Sequence, residues 1–212
     1  MKKTILSMAV AIIMIGLTVR AYAGYHSGEY GNRNNNYSWR RGQEYNWSVA
    51  PKFIVFIPNS SDPGLNNFGP GVGVGVDGRY NFIKYFAVAG ELDYIGLSTY
   101  STNGATINYS NFAIKADALG TIPLNRITPF FGLGLVYNSP SISASGNGSS
   151  GSINGSGIGL ELVGGADFIV TNHGAVTAEI SLPISQNATF SGSSTNVDVG
   201  VYEIMAGYRF LF

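Results

Sequence analysis

From Asn46 onward the chain alternates apolar and polar positions with a period of two, the repeat of an extended strand. The last stretch shows it most regularly. Tyr202, Ile204, Ala206, Tyr208, Phe210 and Phe212 share one face, and Val201, Glu203, Met205, Gly207, Arg209 and Leu211 share the other. Seven earlier stretches repeat the pattern, over about Asn46 to Ile57, Gly71 to Asn81, Tyr85 to Leu97, Ala105 to Gly120, Thr128 to Asn138, Ser156 to Val170 and Gly174 to Ser185. Pro51 is a blemish in the first, since it removes one ladder donor.

The connections between these stretches alternate in length. Polar segments at 58–70, 98–104, 139–155 and 186–196 are long, and the links at 81–84, 121–127 and 171–173 are short. A soluble sandwich has no reason to sort its loops by rim. A membrane barrel does, because its periplasmic turns are short, its external loops are longer, and an even strand number returns both ends to one side. The pattern therefore predicts an all-β fold over residues 46–212, an eight-stranded antiparallel up-and-down transmembrane β-barrel with its apolar face toward lipid.

The opposite face carries the charge. Lys52, Asp77, Arg79, Glu91, Asp93, Lys115, Asp117, Glu161, Asp167, Glu179, Glu203 and Arg209 all fall across from the aromatic and branched residues. Eight strands enclose room only for side chains or one small ligand, and inward glycines and alanines leave space for the long charged groups. The expectation is an interior charge network. Arg79, Lys115, Arg209, Asp77, Asp117 and Asp167 are expected toward the periplasmic end, and the mid and upper interior is expected to be mostly acidic.

Composition agrees with a chain that shows little surface to water: only 11% of its residues are charged, about half the usual globular share of ~25%. Lys2-Lys3, the apolar run from Ile5 to Val19 and the small residues Ala21 and Ala23 read as a signal peptide over 1–23, cleaved after Ala23. That run is shorter than the ~20 residues a helical span needs. Residues 24–45 are polar and irregular and read as a flexible periplasmic arm. Loss of Lys2, Lys3 and Arg20 with the leader leaves an acidic excess of three, so nothing points to nucleic acid. The chain has no cysteine, which excludes disulfides and thiolate metal sites.

With Pro129-Phe130-Phe131-Gly132-Leu133-Gly134-Leu135-Val136-Tyr137 and the ending Gly207-Tyr208-Arg209-Phe210-Leu211-Phe212 in view, the chain resembles the small eight-stranded outer-membrane barrels of the outer-membrane protein A and opacity type, from about Trp47 to Phe212. The resemblance implies residence in the cell outer membrane, contact with its lipid, and folding by the outer-membrane assembly machinery. Tyr208, Phe210 and Phe212 would then be the assembly signal. The best-known member adds a peptidoglycan-binding domain after its barrel; no such tether is expected here.

Chemistry is sparse. Gly71-x-Gly73-x-Gly75 superficially resembles a phosphate loop, but no helix follows it and the glycines space an inward face. Asn187-Ala188-Thr189 matches a glycosylation acceptor, as any chain rich in Ser and Asn will. A lipid-modifying hydrolase would need a nucleophile and a base near the outer leaflet. The two histidines, His26 in the arm and His173 in a periplasmic turn, cannot reach it. No catalytic, cofactor-binding or metal-ligating residues are assigned and no cofactor is expected. Two functions remain. One is a non-enzymatic barrel with a structural or surface-interaction role, its external loops taking an extracellular ligand. The other is a narrow cation-preferring pore through the acidic interior.

Overall fold

The computed structural model describes residues 46–58, 68–96, 99–102, 105–124, 126–146, 149–192 and 196–212. The leader, the arm, and Ala21 and Ala23 lie outside the described residues. The strands are β1 (Trp47–Pro58), β2 (Gly71–Ile83), β3 (Phe86–Gly96), β4 (Tyr100–Thr102), β5 (Ala105–Thr121), β6 (Ile127–Gly146), β7 (Ser149–Thr171), β8 (Gly174–Phe190), β9 (Asn196–Asp198) and β10 (Val201–Leu211). All pairings are antiparallel, and β10 pairs with both β8 and β1. The sheet thus closes into a ring of eight made by β1, β2, β3, β5, β6, β7, β8 and β10. The two short strands stand outside that ring, β4 on β5 and β9 on β8. At the closure Trp47 and Phe212 exchange backbone hydrogen bonds, so no sheet edge faces the bilayer core, where an unpaired backbone group would be costly.

No helix among the described residues is long and apolar enough to cross a membrane; the crossing is made by strands. Strict alternation puts Trp47, Val49, Phe53 and Val55 of β1 outside and Ser48, Ala50, Lys52, Ile54 and Phe56 inside. The outward set forms the lipid-facing belt, with Leu133 at 56% exposure near its middle. Aromatic rings gather near its periplasmic edge, where Trp47 packs on Tyr80 at 4.7 Å and Tyr208 meets Phe210 edge-on at 5.0 Å. Such rings favour the interface between lipid and water. Pro51 is outward, and the ladder from β1 to β10 skips from Val49 to Lys52 around it without losing register.

The structure corrects three of the expected loops, the segment 98–104 by the short strand β4. Within 139–155 the strands run on: β6 and β7 continue upward through Ser141 opposite Asn154 to Gly146 opposite Ser149. Alternation does not announce this hairpin because it rises beyond the lipid belt, and Ser, Gly and Asn serve on both of its faces. Likewise β8 continues to Phe190 and β9 adds to it. A bulge explains the hidden extension of β8. Leu160 lies opposite Ser185 while Glu161 lies opposite Pro183, so Ile184 is the extra residue. It reverses the parity of the strand and turns Gln186, Ala188 and Phe190 inward.

Candidate functional site: the barrel interior

The twelve charged side chains singled out by parity are all buried, four cations among eight carboxylates. Three cationic centres organise them. Nearest the periplasm, Arg209 of β10 makes paired 2.7 Å hydrogen bonds to Asp77 of β2, donates to Asp167 of β7 at 3.1 Å, and reaches Ser48 of β1 at 3.2 Å. Arg79 donates to the other oxygen of Asp167 at 2.7 Å and lies over the Phe130 ring at 4.1 Å. The planar guanidinium suits such shared, forked contacts.

The Lys52 ammonium, from β1, sits among Asp77 at 3.0 Å, Glu179 at 2.9 Å and Glu91. Lys115, from β5, sits among Asp93 at 2.9 Å, Glu91 at 3.3 Å, Glu161 at 3.7 Å and Glu203. Lys115 therefore groups with the central and upper carboxylates rather than with the arginines. Among the described residues, Asp77 with Glu91 and Glu179, and Glu91 with Asp93 and Glu203, are carboxylate triads whose oxygens approach closely enough to hold a metal ion. Each already surrounds a lysine ammonium, a cation tethered to the chain. Ser181 donates to Glu161. Asp117 has no ion-pair partner among the described residues, and its Oδ1 and Glu161 Oε1 converge over Gly134, where a side chain would collide with both.

Above the charges the expectation of an acidic upper interior fails. An amide ladder comes first, with Asn111 Nδ2 donating to Asn138 at 2.7 Å and Asn138 Nδ2 to Gln186 at 3.3 Å. Ile54, Phe56, Ile95, Tyr109, Val201 and Met205 then pack as one buried cluster, with Phe68 and Ile142 against it. Uncompensated charge is costly away from water, and the outer mouth is filled with apolar groups instead. The signal for this cap was in the chain: the parity of β1 already turns Ile54 and Phe56 inward. Beside the arginines a second apolar cluster gathers Ala87, Ala89, Leu119, Phe130 and Val163, with the Phe130 ring against Arg79. A vestibule of about 220 Å³ opens at the periplasmic end, and Arg79, Asp167 and Arg209 are its innermost lining residues.

The assembly-signal candidates lie on the outer wall, with Phe210 and Phe212 exposed and Tyr208 half-buried. His173 occupies the turn between β7 and β8, where its carbonyl accepts from Leu211 N at 3.0 Å.

The chain resembles several solved structures. It is 17% identical to Ail, the attachment invasion locus protein of Yersinia pestis, over 77% of this chain and 97% of that one, with a TM-score of 0.52. With Neisserial surface protein A the identity is 19%, the coverage 79% and 97%, and the TM-score 0.53. With the outer membrane protein OprG from Pseudomonas aeruginosa the values are 15%, 79% and 96%, and 0.57. At these identities the likeness is one of fold. No curated protein matches. The model of the outer membrane protein beta-barrel domain matches residues 9–210. With the closed ring, the lipid-facing belt and this match together, the chain belongs to the outer-membrane β-barrel domain family and resides in the cell outer membrane.

Proposed function

We propose that this protein is a closed, non-enzymatic scaffold in the outer membrane whose surface above the lipid does the interacting. The observation that carries this reading is the filled outer half of the interior: an ion-paired middle closed off above by an amide ladder and an apolar cap. A conducting path needs hydrated polar groups from mouth to mouth, and Ile54, Phe56 and Ile95 interrupt it with side chains that are almost fully buried. Against an enzyme stands the composition of the outer connecting segments, which are rich in Ser, Asn, Gly and Thr and contain no histidine or cysteine. Those segments contain no lysine or arginine, so a polyanion is a poor match for them and an uncharged partner a better one.

The second reading, a narrow cation-preferring pore, draws on the interior excess of eight carboxylates over four cations. Conductance of the refolded protein in planar bilayers at two salt gradients separates the two. Silence from protein shown to be folded supports the closed scaffold. Reproducible small steps with a cation-biased reversal potential overturn it in favour of the pore.

A further inference from the structure

The hairpin that rises above the belt has two unlike faces. Its inner face carries Ile142, packed against the apolar cap and against the neighbouring buried cluster of Ala188, Phe190 and Val199. Its outer face is a lattice of uncharged hydrogen-bonding groups. Ser110, Ser141 and Asn154 lie side by side across β5, β6 and β7, and Asn108, Ser143 and Ser152 form the next row up. A third row of Thr106, Ser145 and Ser150 completes it. Register between β5 and β6, and between β6 and β7, is unbroken from the lipid belt to this level. The rows therefore point the same way as Phe112, Tyr137 and Ile158 beneath them, sideways out of the barrel rather than into its mouth. Asn108, Ser143, Ser152 and Asn154 are exposed, and Thr99 Oγ1 donates to Asn108 Oδ1 at 2.8 Å, which fixes that amide.

We propose that this lattice on β5, β6 and β7 binds the neutral sugars of the outer-leaflet glycolipid that stands beside the barrel. The placement argues for this partner, because what lies lateral to an outer-membrane barrel just above the hydrocarbon is the headgroup layer. The chemistry argues for the sugar portion. Each Ser or Thr hydroxyl both donates and accepts, as a sugar hydroxyl does, whereas anionic headgroup phosphates would call for the basic residues this face lacks. The rows repeat at about 4.8 Å across strands and about 6.7 Å along them, so several sugar hydroxyls can be engaged at once. The inference rests on the scaffold reading above and names a partner for it.

The test reconstitutes the full chain in bilayers containing a glycolipid with a complete neutral saccharide, or the same lipid stripped of its sugars, and measures backbone amide exchange. Residues 106–110, 141–145 and 150–154 should exchange about tenfold more slowly with the intact glycolipid, equally at low and high salt. The triple variant N108A/S143A/S152A, with its urea midpoint unchanged as evidence of folding, should lose that difference. Equal exchange in the two lipids overturns the proposal. So does equal protection by the free saccharide over stripped lipid, which would assign the lattice to soluble glycans. Ion conductance by the same sample would unseat the closed scaffold but leave the exchange result standing, so the two failures are distinguishable.

Discussion

Arg209 and Asp77, 132 residues apart in sequence, face each other through two parallel 2.7 Å hydrogen bonds inside the barrel. One comes from the last strand and the other from the second, so the pair bridges the interior across the closing β1.

Removing the guanidinium leaves Asp77 and Asp167 buried beside each other without it. Arg209→Met should therefore destabilise the barrel by about 3–5 kcal/mol, read as a lower urea midpoint for unfolding. Arg209→Lys should recover only part of the loss, because an ammonium cannot span both carboxylates in a forked geometry. Adding Asp77→Asn to Arg209→Met should cost less than the separate losses added together, the signature of direct coupling.

The apolar cap yields a second expectation. Phe56→Ala removes a fully buried ring and should cost about 3–5 kcal/mol. If the cap is what seals the outer mouth, the variant should also show small, cation-biased steps in bilayers where the parent is silent. Silence from folded Phe56→Ala would place the seal in the ion-paired layers below.

Two glycines separate interior crowding from lipid contact. A methyl group at Gly134 would overlap the Asp117 and Glu161 carboxylates, whereas one at Gly78 would meet nothing within 4 Å. Gly134→Ala should lower stability by about 1–3 kcal/mol. Gly78→Ala should be neutral or raise it by up to ~1 kcal/mol, since the added methyl restrains the unfolded chain. Urea titration of the two variants side by side gives the comparison.

Much of this was legible in the residues. Period-two alternation locates the eight ring strands because each must show one face to lipid, and parity alone selects the buried charges. What stayed hidden has a common cause. The upper hairpin rises above the lipid belt, where Ser, Gly and Asn fill most positions of both faces, so Ser143 and Gly151 look like loop. The bulge at Ile184 breaks parity without any composition signal, which disguised the inward turn of Gln186 and Phe190. The grouping of Lys115 with Glu203 depends on which side chains span the lumen, and strand order alone does not say that.

The terminal aromatic can be tested apart from stability. Phe212 is exposed on the outer wall, so Phe212→Ala should refold in vitro with a urea midpoint close to the parent. If Tyr208, Phe210 and Phe212 are read by the assembly machinery, the same variant should accumulate less in the outer membrane of living cells. Equal accumulation would assign these rings to lipid contact alone.

The position of Arg209 in the final strand also makes the interior network wait for the last strand. Until β10 arrives, Asp77 and Asp167 lack the guanidinium that joins them, and β1 and β8 each present an unpaired edge. A chain stalled one strand short would have to enter the bilayer with bare backbone at two edges and with Asp77 and Asp167 unbridged. Insertion and completion should thereby be coupled, since both strand edges and both carboxylates find their partners only when β10 closes the ring.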